Sequence, residues 1–457
     1  MGLWRNGLAA ALLARACLGD NAPDQGPGLH ALMVGAGKLF FGTATDTNLF
    51  NDTQYLAIAN SSSMFGIRVP ENSQKWQPTE PTQGRFAFAN PDDVAVTSRA
   101  NGQLLRCHTL TWHSQLPNFV QTTAWTRDTL TAAIQSHIAN VVGHFKGQCY
   151  SWDVVNEALN DNGTIRNDVF FQTMGTDYIP VSFAAAAAAD PGAKLYYNDF
   201  NLETIAAKAD AALQIVRLVQ SAGLRIDGVG FQAHLNVGFT PNRTALAATL
   251  SRFTALGVEV AFTELDIAHT KLPPDAAAIE QQARDYVSVV GSCLAVAKCV
   301  GIVVWEFTDK YSWIPSTFPG KGDACLFDAN FTKKPAYTAV SSLLAAAATG
   351  GPPQGGGGGG SFGGGVGGGS GGSGNGTSGS LNGGSRAGSV GMNVGYAGGE
   401  SSATATASLG QSPAAVSLAM SNIDGQISVA TGPIWEQLSL RAVLCVSVSA
   451  VTFAMIL

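Results

Sequence analysis

No run of basic residues occurs anywhere along the 457-residue sequence, and its formal net charge is -6. Nucleic acid is therefore excluded as a partner, because binding it rests on Lys and Arg neutralising phosphates. Cysteine is sparse as well. Of the seven, Cys17 and Cys445 lie near the two ends, and the other five fall between them. None of the five shows metal-ligand spacing or a pattern for thiol catalysis, so no metal site is expected. Cys293 and Cys299 stand close enough to bridge a short connection. Cys107, Cys149 and Cys325 sit in or beside apolar runs and read as buried core thiols.

Apolar residues are missing from one long stretch. Between residues 350 and 374 roughly two-thirds of the positions are Gly, and Gly, Ser, Thr and Asn dominate to about residue 404. Phe362, Met392 and Tyr396 are too sparse there to build a core. Such a segment cannot offset its ordering entropy, so residues 349–431 read as a disordered Gly/Ser/Thr-rich linker, with no carbohydrate-binding module after Ala348. The ends carry targeting patterns. A short apolar run at 8–13, after Arg5, reads as the core of a signal peptide spanning 1–19. The uncharged run 442–457 is short for a membrane span and lacks basic residues after it. With small residues at Gly425 and 430–432 upstream, residues 432–457 read as a glycolipid (GPI) anchor signal, which would hold the chain on the outer membrane leaflet. Sequons at Asn51, Asn60, Asn162, Asn242, Asn330 and Asn375 agree with a secreted, glycosylated protein.

Residues 28–348 have the texture of a packed domain. Candidate strands at 40–45, 64–69, 104–110, 150–156, 194–197, 228–232, 258–264 and 301–307 are mostly apolar on both faces, as buried parallel strands are. Helical spacing fills the intervals, for example at 129–145, 204–222 and 276–290. Eight strands with helical crossovers in about 320 residues predict a (β/α)8 TIM barrel. An open doubly wound sheet is the competitor, but polar and aromatic residues gather after nearly every strand: His108, Trp112, Asn156, Asn198, Asp199, His234, Trp305 and Asp309. One site drawing on most strands is the mark of a barrel.

Two carboxylates close apolar strands, Glu157 and Glu264, about three β/α units apart. Glycosidic cleavage needs one carboxyl to protonate the leaving oxygen and a second to attack or stabilise the anomeric carbon. Asp266 follows Glu264 by two and projects from the same side of a strand. With His234 in reach, the three would form a hydrogen-bonded chain that keeps Glu264 ionised. Trp76, Trp112, Trp305 and Trp313 follow strand ends and offer flat faces to pyranose rings. Asn72, Lys75, His108, Asn198 and Gln232 lie beside them as hydroxyl-binding candidates.

These segments, taken in order, resemble glycoside hydrolase family 10, the xylanase family. The resemblance rests on Gly42-Thr43-Ala44-Thr45, on Glu71-Asn72-Ser73-Gln74-Lys75-Trp76, and on the stretch from Arg106 to His113. It continues through Trp152 to Leu159, Tyr196 to Asp199, Gln232-Ala233-His234, Thr263 to Ile267, and Trp305 through Trp313. It implies a cofactor-free enzyme that cuts β-1,4-xylan internally with retention, and a monomer is expected. Glu157 would be acid/base, Glu264 nucleophile and Asn156 a contact of the sugar 2-hydroxyl. Glu71, Asn72, Lys75, His108, Trp112 and Trp305 would line the glycone side, with Gln232, His234 and Asn198 near the catalytic pair. A Cys293–Cys299 bridge is implied as well. Arg68 departs from the family pattern, and would alter the glycone side if it pointed into the barrel mouth.

Two other readings make different predictions. A β-1,4-glucanase on a related retaining barrel differs in pocket shape, which sequence does not show. A catalytically silent surface carbohydrate-binding protein has no support from a sequence that keeps both carboxylates, His234 and Asp266.

Overall fold

The computed structural model describes residues 26–349. The expected signal peptide, Gly-rich linker and terminal apolar run lie outside the described residues. Nine strands form one sheet: β1 (Phe40–Thr45), β2 (Ile67–Pro70), β3 (Leu104–Trp112), β4 (Ser151–Asn156), β5 (Lys194–Asp199), β6 (Gly228–Phe231), β7 (His234–Asn236), β8 (Glu259–Ala268) and β9 (Cys299–Val304). All pairings are parallel. β6 pairs with β8 as well as β5, and β9 joins β8 to β1, so the sheet has no free edge there. Setting aside β7, which adds only to the far end of β8, eight strands close into a (β/α)8 barrel. An open doubly wound sheet is thereby excluded.

Burial on both faces explains the apolar strands. Phe40, Ala44, Ile67, Val69, Tyr196, Ala261, Val303 and Trp305 fill the barrel interior, and a larger cluster lies between strands and helices. Two glycines make the interior packing feasible. A Cβ on Gly301 would meet the Phe40 ring at 2.4 Å, and one on Gly228 would meet the Tyr196 ring at 2.3 Å. Bulky rings therefore fit opposite absent side chains, layer by layer. Some crossover helices begin at side-chain caps. Thr126 and Thr129 bond reciprocally at the start of Arg127–His144, and Asp275 caps Ala276–Ala295. Among the described residues no helix is long and apolar enough to cross a membrane.

Three local findings differ from the sequence reading. Cys107 and Cys149 are not free thiols: they form a disulfide across 42 residues, besides the Cys293–Cys299 bridge, while Cys325 stays free and buried. Sequence placed both cysteines in apolar surroundings but held no sign that the start of β4 brings them together. β3 and β8 run on past their expected ends, to Trp112 and Ala268. Arg68 faces away from the barrel mouth. Ile67 and Val69 take the interior positions, so alternation sends Arg68 into the layer behind the sheet, where it bonds Asn60.

Candidate active site

A cleft of about 550 Å³ opens at the C-terminal ends of the strands. Glu157 lies just past β4 with φ 55°, a left-handed conformation that costs a non-glycine residue free energy and turns its side chain sharply off the strand axis. Its amide donates to the Asn198 carbonyl at 2.9 Å, and its carbonyl accepts from Arg166 Nε at 3.1 Å. These bonds pin the turn from both sides. Glu264 projects from the middle of β8 and is 5 % exposed.

A continuous chain of polar contacts joins the two carboxylates. Gln232 Nε2 donates to Glu157 Oε1 at 3.0 Å and to Asn156 Oδ1 at 3.3 Å. Asn198 Nδ2 donates to Asn156 Oδ1 at 2.9 Å and to Glu264 Oε1 at 2.7 Å. The carboxylate of Glu264 accepts hydrogen bonds, so Asn198 must turn its NH2 group toward it. That choice fixes the Asn156 oxygen toward Asn198 and leaves the Asn156 NH2 for Glu157 Oε1, at 3.3 Å. Thr263 Oγ1 then donates to the remaining Asn198 oxygen.

The chain continues on the other side of Glu264. His234 Nε2 stands 3.2 Å from Glu264 Oε2, and its Nδ1 stands 3.0 Å from Asp266 Oδ2. Trp313 Nε1 donates to the same Asp266 oxygen at 2.8 Å. β7 exists to make this contact, since it pairs His234 directly against Asp266. Burial by itself would lower the imidazole, but the charges and hydrogen bonds of Asp266 and Glu264 outweigh it and raise His234 to about 10. The ring is therefore an imidazolium at neutral pH. Burial likewise pushes the Glu264 carboxyl up, yet the His234 hydrogen bond, the attraction of His108 and His234, and the Asn198 bond hold it below its usual range. Glu264 is kept ionised in a nearly dry site, which suits a group that must meet developing positive charge.

The sugar-binding candidates surround this pair. Glu71, Asn72, Lys75, His108, Trp112, Trp305 and Trp313 all line the cleft, the last two both against the His234 ring. Lys75 Nζ bonds Asn72 Oδ1 at 3.0 Å and Gln115 Oε1 at 2.6 Å, and lies 4.7 Å from the Trp112 ring centre. Burial raises the Glu71 carboxyl to about 7 against the pull of Lys75. His108 is held by Asp153, at 3.0 Å from Nδ1, and Asp153 is itself paired with buried Arg106.

Trp76 is a correction. It is 2 % exposed and absent from the cleft wall, stacking on His137 at 4.0 Å and donating to Glu80 at 3.0 Å. Lys75 turns into the cleft, and its neighbour at the start of the Trp76–Thr79 helix turns the opposite way, into the core. Asp199 and Asp309 also leave the cleft. Asp199 pairs with Lys208 at 3.0 Å, and Asp309 holds Lys334 at 2.9 Å. Among the described residues, no three His, Cys, Asp or Glu side chains are grouped as metal ligands.

The glycosyl hydrolase family 10 model matches residues 28–343. The chain belongs to glycosyl hydrolase family 10. It is 65 % identical over 317 residues to endo-1,4-beta-xylanase 5 of Pyricularia oryzae, covering 69 % of this chain and 78 % of that one. With endo-1,4-beta-xylanase 1 of Humicola insolens it shares 57 % over 338 residues, 74 % of this chain and 77 % of the relative. Among solved structures, Penicillium canescens endo-1,4-beta-xylanase XylE aligns with TM-score 0.68 at 40 % identity, over 72 % of this chain and 99 % of that chain. A xylanase of the same family from Bispora sp. MEY-1, solved with xylobiose, aligns with TM-score 0.67 at 40 % identity, over 69 % of this chain and 99 % of that chain.

Within this family-10 site, several residues carried no assigned role in the sequence reading. His113 Nδ1 lies 3.9 Å from Glu157 Oε2, and Arg166 braces the Glu157 turn. Gln115 joins Lys75 to the wall. Phe318, against the Trp313 ring, and Lys321 line the cleft from a loop after β9. His113 stood inside a recognisable segment and was findable. The others lie in loops, where spacing has no period to read.

Proposed function

We propose that this chain is an endo-acting β-1,4-xylanase that works by double displacement with retention. Glu264 attacks the anomeric carbon while Glu157 gives its proton to the departing glycosidic oxygen. The covalent glycosyl-enzyme is then opened by a water whose proton Glu157 takes back, which frees Glu264 for the next cycle. The observation that carries this reading is the coupled pair: two cleft carboxylates joined through Gln232, Asn156 and Asn198, one of them held ionised by His234. Asn156 contacts the sugar 2-hydroxyl, and Trp112, Trp305 and Trp313 supply ring faces. Family membership and the names of the relatives support xylan as the substrate.

Sugar release from soluble xylan and soluble cellulose, measured side by side, tests the proposal. Xylan cut into short oligomers with cellulose nearly untouched is the expected result. Cellulose turnover alone would move the assignment to a glucanase, and silence on both to a binding protein.

We also propose an extracellular location, because two disulfides persist only where thiols are not kept reduced. On sequence alone, the order is a signal peptide (1–19), the barrel (28–348), a Gly/Ser/Thr-rich linker (349–431) and an anchor signal (432–457). Cell-surface enzyme that a phosphatidylinositol-specific phospholipase fails to release would rule out the anchor. A single chain supplies every group of the site, which supports a monomer. A solution mass well above that of one chain would refute this.

A further inference from the structure

Ala233 stands between Gln232, which donates to Glu157 and Asn156, and His234, which bridges Glu264 and Asp266. It is fully buried and has φ 59°, a left-handed conformation that is strained for a residue with a side chain. Here the chain leaves β6 and enters β7. Phe231 lies level with Phe262 and His234 with Asp266, so β8 gains one residue on its neighbour across the turn. The Gln232 amide still donates to the Asp199 carbonyl of β5, at 3.0 Å. The Ala233 amide has a side chain for its acceptor instead, Glu203 Oε1 at 2.9 Å. Glu203 comes from the turn after β5, is 6 % exposed and does not line the cleft. Its Oε2 has no hydrogen-bond partner among the described residues. Burial raises the carboxyl to about 7, against its own amide, the Ala233 amide and the His234 charge. A carboxyl kept in so costly a place for one backbone bond points to a duty at that bond.

We propose that Glu203 is a positioning residue for the reaction: by holding the Ala233 amide it fixes the left-handed turn that aims Gln232 and His234 at the two carboxylates. The two side chains leave the backbone on either side of one strained residue, so relaxation of that residue moves them together. Glu157 would then lose the bond from Gln232, and Glu264 the cation that keeps it ionised. Glu203 makes no hydrogen bond to either carboxylate and acts through this turn. This role rests on the xylanase reading above, because the pair it serves is the pair assigned there.

Two substitutions in the full-length protein, assayed for kcat and KM on soluble xylan, separate position from charge. Glu203→Asp keeps the charge but draws the carboxylate back by one methylene, out of reach of the Ala233 amide. Glu203→Gln keeps an acceptor in place and removes the charge. Glu203→Asp should lower kcat roughly 10- to 100-fold with KM little changed, whereas Glu203→Gln should keep most of the wild-type kcat. Glycine adopts φ 59° without strain. Adding Ala233→Gly to Glu203→Asp should therefore recover much of the lost kcat, which a role confined to stability would not show. A folded Glu203→Asp enzyme with wild-type kcat overturns the positioning role alone, even if it melts lower. So does a large kcat loss in Glu203→Gln, or a double variant no better than Glu203→Asp. A wild type inactive on xylan overturns the xylanase reading and this inference with it.

Discussion

Replacing His234 by Gln isolates the charge that keeps Glu264 ionised. Gln retains a donor toward Glu264 but carries no positive charge. At the 3.2 Å separation of His234 and Glu264, Coulomb attraction is about 5 kcal/mol at an effective dielectric of 20, and about 1 kcal/mol in water. The cleft is open to solvent on one side and water relaxes into the change, so a loss of about 1.4–3 kcal/mol is expected. That is a rise of about one to two units in the Glu264 pKa. The assay is kcat/KM against pH, whose acid limb reports the free enzyme's essential carboxylate. The limb should move upward by that amount while turnover at the optimum survives. Melting against pH gives an independent reading. An imidazole raised from 6.5 to about 10 stabilises the fold fully below about pH 6.5 and loses that contribution as pH climbs through 10. This alkaline loss should be absent from the variant. An acid limb that stays in place in a folded, active His234→Gln enzyme would refute the reasoning.

Three further outcomes are expected. In kcat/KM, which reports the first step, Glu157→Ala should lose roughly 10²- to 10⁴-fold on xylan but far less on a dinitrophenyl xylobioside, whose leaving group needs no proton. Equal losses on both would remove the acid role. Trp76→Ala should cost roughly 3–5 kcal/mol of stability, read from denaturant unfolding, with KM unchanged in the folded fraction, whereas Trp112→Ala should raise KM with little change in stability. A raised KM for Trp76→Ala would return that ring to the cleft. Opening the 42-residue Cys107–Cys149 loop by Cys107→Ser/Cys149→Ser should cost about 4 kcal/mol, lowering Tm by roughly 5–10 °C, while an unchanged Tm would show the bridge to be idle.

Much of the fold was legible because parallel barrel strands are buried on both faces, and continuous apolar runs announce them. The chemical end of each strand was legible for the same reason. Polar residues at the ends of such runs gather at the barrel mouth, as Asn156 and Glu157 do, unless a buried cation draws them aside, as Lys208 draws Asp199. Direction was harder. Trp76 and Lys75 are adjacent, and only the start of a four-residue helix decides which one meets the cleft. Arg68 could have been resolved, since Ile67 and Val69 on either side are the better interior residues and alternation sends it outward. The Cys107–Cys149 pair could not. It depends on the register of β3 against β4, where Cys107 lies level with Trp152, and no local pattern encodes register between strands 40 residues apart.

That bridge alters what proteolysis does to the protein. The loop it closes contains an exposed stretch, residues 121–124, within reach of any protease the enzyme meets outside the cell. A cut there divides the polypeptide between the strand bearing His108 and Trp112 and the strand leading into Glu157. The two pieces nevertheless remain one covalent molecule, joined at Cys107 and Cys149. Damaged enzyme would run as a single band on a denaturing gel until a reductant is added, and its two halves of the cleft would stay tethered in the meantime.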